Sequence, residues 1–525
     1  MNKSDLTVRS FIIGTIGLLI ITIASMYVAL RMGALPWPTV FVTILSMAIL
    51  KKFKNSSLRE VNITHTIMSS GAMVAGGLAF TIPGLWIIDP AATISIFQLC
   101  VIAVVGAILG TVFTSILREL LIVENQLPYP MGIAAYNTLT VGQEGGKSGK
   151  KLFITMGLST IFTALRDGFA LIPQLFTVFK GTALLPAAHL WLSPMAMGIG
   201  AIIGPVLSLM WALGAIIGFY LIIPIGLKLN LFPDLATADS FRSSLGIGLM
   251  FGTGFGIIIK VLFDLVKGKN NIKINLDKNS MIKLGAVLAL CIVALSALTS
   301  ITILQSILLI FAVFVACYLS STLTGQTGIN PMEIFAILVV LFITLVSSLD
   351  INSSFLIAGL VAVSCGLAGD VMNDLKSGYL IKTKAKDQLI GEIFGAIIAS
   401  VLSVYLLFLL KDTLGPFGTA TLPAPQATAI ASMINGLANN TSFMLGLVIG
   451  AILFIIKVPS ATLGLGFYLP MHISLAMASG AILQIIATKI FGKKSTDENT
   501  PIISSGLLGG EAITGVVIAL ITIFR

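Results

Sequence analysis

The chain has 525 residues, 57% of them hydrophobic and 10% charged, with a formal net charge of +10 and a mean hydropathy of +1.05. A soluble domain carries about 25% charged residues, so this composition excludes a soluble protein and implies an integral membrane protein. The positive balance is not a nucleic-acid footprint, because Lys and Arg of a polytopic protein collect in its cytoplasmic loops.

Residues 10–30 follow Lys3 and Arg9, lack a small-residue cleavage site, and read as a retained span rather than a signal peptide. Further spans are expected near 35–50, 62–88, 92–117, 152–179, 194–227 (a hairpin or broken pair), 243–265, 281–299, 302–319, 331–347, 352–368, 388–410, 442–456, 462–489 (again broken) and 501–523. A crossing helix needs about 20 apolar residues. The expected fold class is therefore all-α, a polytopic integral membrane protein of roughly 14–16 transmembrane helices with re-entrant or broken segments. Two related halves, 1–266 and 281–525, are expected on either side of a cytoplasmic linker, 267–280. Polar stretches such as KGKNNIKINLDKNSMIK are too short to form another domain, since unaided domains rarely fall below about 40 residues.

Charge tests the topology. With the N-terminus in the cytoplasm of a cell (inner) membrane, roughly 24 of the 31 Lys and Arg fall on the cytoplasmic side. They lie in KKFKNSSLRE, Arg118, GQEGGKSGKK, the Lys-rich 267–283 segment, DLKSGYLIKTKAK and KIFGKKS. This count requires 118–151 to enter and leave on one side. RELLIVENQLPYPMGIAAYN (118–137) is then a cytoplasmic loop or, because MGIAAYNTL is too apolar for a loop and too short to span, a re-entrant hairpin. GIGAIIGPV (198–206) and GLGFYLPMH (464–472) each place two glycines ahead of a short apolar run and a proline, and LPAPQATAIASMING (422–436) is a partner for 128–139. Paired interrupted segments in two halves point to a transporter binding site.

Few polar residues fall inside the spans. An intramembrane carboxylate is costly and by default marks an ion or proton path. Glu333, Asp167 and Glu511 are the candidates for proton coupling. Two have a bland alternative: Glu333 as a carboxylate at a helix N-terminus, Asp167 as the neutralising neighbour of Arg166. Glu392 reads as interfacial. His65 reads as a satisfied interfacial residue, His189 as an external loop residue, and His472 as adjoining a broken helix. GGKS (145–148) is no phosphate loop, since the glycine required five residues before Gly146 is Val141. Cys100, Cys291, Cys317 and Cys365 stand alone, with no metal-ligand spacing. No cofactor, no metal site and no nucleic-acid partner is expected, and no HExxH motif or catalytic dyad suggests an enzyme.

LPYPMGIAAY (127–136) resembles a signature of the oligopeptide transporter superfamily, which includes the yellow-stripe-like metal–chelate carriers. TGINPMEIF (327–335), DLKSGYLI (374–381), GLGFYLPMHISL (464–475) and SSGLLGGEAITGV (504–516) follow in the family's order, and 62–86 fits its early helices. Two departures stand out: Met131 occupies a position where an acid is expected in many prokaryotic members, and the NPG and KIPPR signatures are absent. The resemblance implies a prokaryotic member acting as a proton-coupled secondary carrier of small peptides, glutathione or metal chelates, with protons and the lipid bilayer as partners and a homodimer left open. The alternatives are a channel or a carrier of an unrelated small solute. Tyr129, Tyr136, Asn137, Gln326, Asn330, Tyr468 and His472, from the broken segments, are the expected substrate-binding residues.

Overall fold

The computed structural model describes residues 5–32, 35, 39–53, 56–144, 146–182, 185–266, 278–419, 422–434 and 439–523. Most of the expected linker, 267–277, lies outside the described residues. The chain opens with α1 (Val8–Met32), α2 (Thr39–Leu50), α3 (Leu58–Thr81), α4 (Pro83–Ile88), α5 (Ile96–Arg118), α6 (Pro130–Glu144) and α7 (Gly146–Thr163). A hairpin of β1 (Leu175–Phe179) and β2 (Ala188–Trp191) precedes α8 (Pro194–Ile203), α9 (Pro205–Ile216), α10 (Ile223–Lys228) and α11 (Leu235–Val266). The remainder comprises α12 (Lys278–Leu298), α13 (Ile303–Thr327), α14 (Met332–Thr344), α15 (Ile351–Ile381), α16 (Ala385–Leu414), α17 (Pro425–Met433), α18 (Asn440–Ile455), α19 (Ser460–Tyr468), α20 (Met471–Phe491) and α21 (Lys493–Ile523). Among the described residues, nine helical stretches are long and apolar enough to cross a membrane, and four shorter helices are also apolar.

Burial sorts the helices. The apolar stretch of α15 is entirely enclosed and that of α3 nearly so, whereas α12 is almost bare. Leu290, Phe311, Tyr405 and Val448 face outward from peripheral helices. Large apolar side chains exposed on the outer helices suit a chain solvated by lipid.

The helices cross where glycine lets backbones meet, as small-residue motifs allow in membranes. A methyl group on Gly252 of α11 would sit 2.2 Å from the Leu447 carbonyl of α18, and one on Gly450 of α18 would sit 2.4 Å from that of Leu249. Gly200 of α8 and Gly480 of α20 approach the Met477 and Met197 carbonyls in the same reciprocal way. Gly510 of α21 lies against the Met156 carbonyl of α7. Each of these pairs joins a helix from before the linker to one from after it.

Both LPxP segments share one backbone device. Tyr129 and Ala424 adopt left-handed φ values of 46° and 41° just before the prolines that open α6 and α17. The Tyr129 N–H donates to the Gly325 carbonyl near the end of α13 (3.0 Å), and that of Ala424 to the Leu30 carbonyl near the end of α1 (2.8 Å). The strain at a non-glycine residue of this kind costs on the order of 1–3 kcal/mol and persists only where the surroundings impose it.

Several expectations are corrected. The run 152–179 is not one span: α7 ends at Thr163, a π-helical turn covers Ala164–Gly168, and 175–179 is the first hairpin strand. DLKSGYLI is not a loop but the end of α15, with Lys376 8% exposed. The apolar drive to bury one face of this helix carries its polar residues inside with it. His65 and Glu392 are not interfacial; both are fully buried between α3, α15 and α16. The broken pairs at 194–227 and 462–489 are indeed interrupted, at Gly204–Pro205 and Leu469–Pro470.

Candidate functional site

The interrupted segments converge. The loop from Gly328 to Pro331 separates α13 from α14, and Gly328, at φ 72°, packs against Pro130 of α6 and Ile199 of α8. Asn330 holds this loop on α15: its amide nitrogen donates to the Cys365 carbonyl (2.7 Å), and its amide oxygen accepts from the Ser320 hydroxyl (2.8 Å). The Gly132 N–H, in the first turn of α6, donates to the Asn373 side-chain oxygen on α15 (3.1 Å).

Two cavities flank the interrupted helices. The larger, of about 750 Å³, is lined by Leu207 at the start of α9, Thr253 and Ile259 of α11, Gln326 of α13, Phe454 and Ile455 at the end of α18, and Lys457 to Ala461 leading into α19. Lys457 and Ser460 supply polar groups, and Ser460 shares a hydrogen bond with Thr253 (2.8 Å). The smaller, of about 160 Å³, lies between the β-hairpin, Tyr220, and the break ahead of α20, where His189 and His472 line it.

The expected binding residues divide. Gln326 and His472 line cavities. Tyr129 is fully enclosed and donates its hydroxyl to the Ser321 carbonyl (3.1 Å), tying α13 to the LPYP loop. Asn137, 8% exposed, donates to the Ser505 hydroxyl of α21 (3.3 Å). Asn330 is spent on the loop just described. Tyr136 and Tyr468 are half-buried, and the Tyr468 carbonyl accepts from Arg242 of α11 (3.4 Å).

The expected coupling acids also divide. Glu511 is paired with Arg166 (2.9 Å) and accepts from the Ser193 hydroxyl and the Met195 N–H (2.7 Å) at the start of α8. Asp167 shares the same guanidinium at 2.5 Å, while Arg166 also donates to the Leu192 carbonyl. This is a fully partnered ionic lock between α7, α8 and α21. Glu333 is 9% exposed in the first turn of α14 and close enough to Tyr468 to act on it electrostatically.

A second polar cluster, absent from the sequence-based expectations, lies between α3, α15 and α16. Asp374 accepts from His65 Nε2 (3.0 Å) and from the Ser69 hydroxyl (2.7 Å). Asn62 donates to Ser377 (2.9 Å) and contacts His65 Nδ1 (3.3 Å). Gln388 donates to the Asp374 carbonyl (2.8 Å). Asp370 and Glu392 are fully buried alongside. The spacing of four between Asp370 and Asp374 places both on one helix face, a signal hidden because 374–381 reads as a charged loop. Among the described residues, no group of His, Cys, Asp and Glu is arranged to hold a metal ion.

A family model described as OPT oligopeptide transporter protein matches residues 5–522. A Haemophilus influenzae protein named as an oligopeptide transporter is 25% identical, with 94% of this chain and 92% of that protein aligned. Two Arabidopsis thaliana proteins named as the metal-nicotianamine transporters YSL4 and YSL6 are 25% and 24% identical, each over 78% of this chain and 72% of its own length.

Proposed function

Because the chain belongs to the oligopeptide transporter family, we propose that this membrane transporter is a secondary active carrier of small peptides or peptide-like metal chelates, driven by a proton gradient across the cell (inner) membrane, with its N-terminus in the cytoplasm. The observation that carries the reading is the larger cavity. Its volume of about 750 Å³ falls in the range of roughly 300–1,000 Å³ that small-molecule sites occupy. Its walls include Leu207 in the first turn of α9 and Ser460 and Ala461 at the start of α19, helix ends whose dipoles favour a carboxylate. Lys457 adds positive charge, while Gln326, Thr253 and Ser460 add neutral hydrogen-bonding groups for amides or hydroxyls. A zwitterionic peptide and a polycarboxylate chelate both present these complementary groups. The relatives' names supply the two substrate classes between which the cavity's chemistry does not choose.

The test is uptake by purified protein in proteoliposomes, with labelled di- to tetrapeptides, glutathione and ferric or nicotianamine-type chelates offered in parallel. The expected result is saturable, counterflow-competent accumulation of one class, stimulated by an inward proton gradient. Conductance without saturation would identify a channel and overturn the carrier reading. Saturable uptake indifferent to the proton gradient would retain the carrier and reject its proposed driving ion.

A further inference from the structure

The cluster between α3, α15 and α16 contains three carboxylates and no cationic side chain. Asp374 is provided for, with donors from His65 and Ser69. His65 Nε2 bonds to Asp374 and its Nδ1 contacts the Asn62 side-chain amide. Asp370 and Glu392 are 0% exposed; the Glu392 carboxyl has no hydrogen-bond donor, and the one hydroxyl beside Asp370, that of Ser69, is given to Asp374 (2.7 Å). The amides supply an independent observation. Asn62 and Gln388 use their nitrogens inside the cluster, and each keeps a buried carbonyl oxygen with no donor. The site is rich in acceptors and short of hydrogens.

Burying an unpaired carboxylate is far costlier than burying the neutral acid, and neighbouring like charges raise the cost further. The charges acting on Glu392 are those of Asp374 and Asp370. Charged groups on the surrounding elements are engaged elsewhere. Arg9 of α1 pairs with Glu60 of α3 (3.0 Å), and Asp387 of α16 accepts from the Asp5 N–H (2.8 Å). Arg118 of α5 pairs with Glu119 (3.5 Å), and Lys411 of α16 lies over Trp86 of α4 (4.7 Å). Arg59 of α3 lies 4.0 Å from Asp5, and Lys376 on α15, Glu333 on α14 and Lys386 and Asp412 on α16 are further charged groups of these helices. Protons on Asp370 and Glu392 would remove both charges and supply the O–H donors that the orphaned oxygens lack. Among the described residues, no three or more His, Cys, Asp or Glu side chains are arranged to hold a metal ion.

The same helix connects this cluster to the interrupted segments. Asp370, Asp374 and Ser377 lie on the face of α15 toward α3 and α16. Cys365, Gly369 and Asn373, spaced by four, meet the Asn330 loop and the start of α6. A movement of either broken segment therefore pulls on the helix that carries the acids.

We propose that Asp370 and Glu392, with the Asp374–His65 pair beside them, form the proton-carrying site of this transporter. Each acid takes up a proton when the cluster is hydrated from one side, is neutral when enclosed, and releases the proton when the cluster opens to the other side. Only carboxyl O–H bonds form and break. The inference rests on the proton-driven carrier reading above.

Infrared difference spectroscopy of the lipid-reconstituted protein, titrated in pH, tests the site without a substrate. A protonated-carboxyl C=O band that disappears at alkaline pH is expected. Asp370→Asn and Glu392→Gln should each remove part of it, and Asp167→Asn should not. A pH-insensitive spectrum, or a band unchanged in both variants, overturns the assignment, as does a band displaced by sodium rather than by hydroxide. Uptake in proteoliposomes separates the two levels of inference. If wild-type uptake ignores the proton gradient, the carrier's proposed driving ion is wrong. If wild type responds and both variants respond equally, the site is wrong. The expected outcome is loss of gradient stimulation in each variant with counterflow exchange retained, which also shows that the variants fold.

Discussion

Replacing Arg166 by Met separates a structural role from a proton-carrying role for Glu511. Arg166 holds two carboxylates, Asp167 at 2.5 Å and Glu511 at 2.9 Å, and its side chain is 3% exposed. Removing it leaves Glu511, whose side chain is 8% exposed, as a buried charge supported only by Ser193 and the Met195 N–H. Breaking a buried pair from one side costs about 3–5 kcal/mol, because the surviving charge is uncompensated. Glu511→Gln is milder. The guanidinium keeps Asp167, and the new amide oxygen can still accept from Ser193 or Met195, so the loss is about 1–3 kcal/mol, that of a hydrogen bond to a charged group. The double variant Arg166→Met/Glu511→Gln removes the stranded charge and should be more stable than Arg166→Met alone. Thermal unfolding of the four proteins in one detergent gives the coupling between the two positions. If Glu511→Gln costs as much as Arg166→Met, or if the two effects simply add, the lock does not work as described.

Three other outcomes are expected. Gly450→Val should force α11 and α18 apart by about 1 Å before the 2.4 Å approach to the Leu249 carbonyl relaxes to an ordinary contact of 3.4 Å; overpacking of this kind costs about 1–3 kcal/mol, and an unaltered unfolding temperature would contradict it. Gln326→Ala should weaken substrate binding, read as a raised half-saturation concentration with the maximal rate largely kept, because Gln326 lines the cavity and not the acid cluster; a change confined to proton stimulation would count against that placement. Asp350, the N-cap of α15, accepts from the Ser353 N–H (3.2 Å), so Asp350→Ala should cost about 0.5–2 kcal/mol. Burial pushes the Asp350 carboxyl up, but hydrogen bonds from Ser353 and nearby backbone outweigh it and hold the group below its ordinary 3.8. The cap's contribution should therefore be complete above that value and vanish as pH falls below the folded-state value, which the pH dependence of unfolding in wild type against Asp350→Ala would reveal.

Much of the architecture was legible because lipid imposes simple rules. Runs such as 10–30 and 92–117 can only be buried or lipid-facing helices, and the prolines at 205 and 470 interrupt their helices where a lost N–H requires it. The short run after LPYP proved to be a helix, α6, sheltered by protein. The errors share a cause. Charge and polarity in a sequence signal water, so DLKSGYLI reads as a loop and His65 and Glu392 read as interfacial. In a membrane protein the polar residues also collect at the centre, where they satisfy one another. The pairing of His65 with Asp374 spans 309 positions, and no local pattern encodes it. Residues 170–179 misled for the opposite reason: apolar character extends into a hairpin whose strand Leu175–Phe179 is exposed along its whole length.

The ionic lock also bears on how the chain is made. Arg166 and Glu511 are 345 residues apart, a delay of roughly 15–70 s at the usual rate of about 5–20 residues per second. During that time the turn after α7 that carries Arg166 waits for α21 to be made. A lone guanidinium, buried without a counter-charge, would be costly. Asp167, its immediate neighbour, arrives with it and holds two of its nitrogens, at 2.8 and 2.5 Å. The adjacent acid thus acts as a travelling counter-ion, synthesised with the charge it shields and kept once the permanent partner arrives.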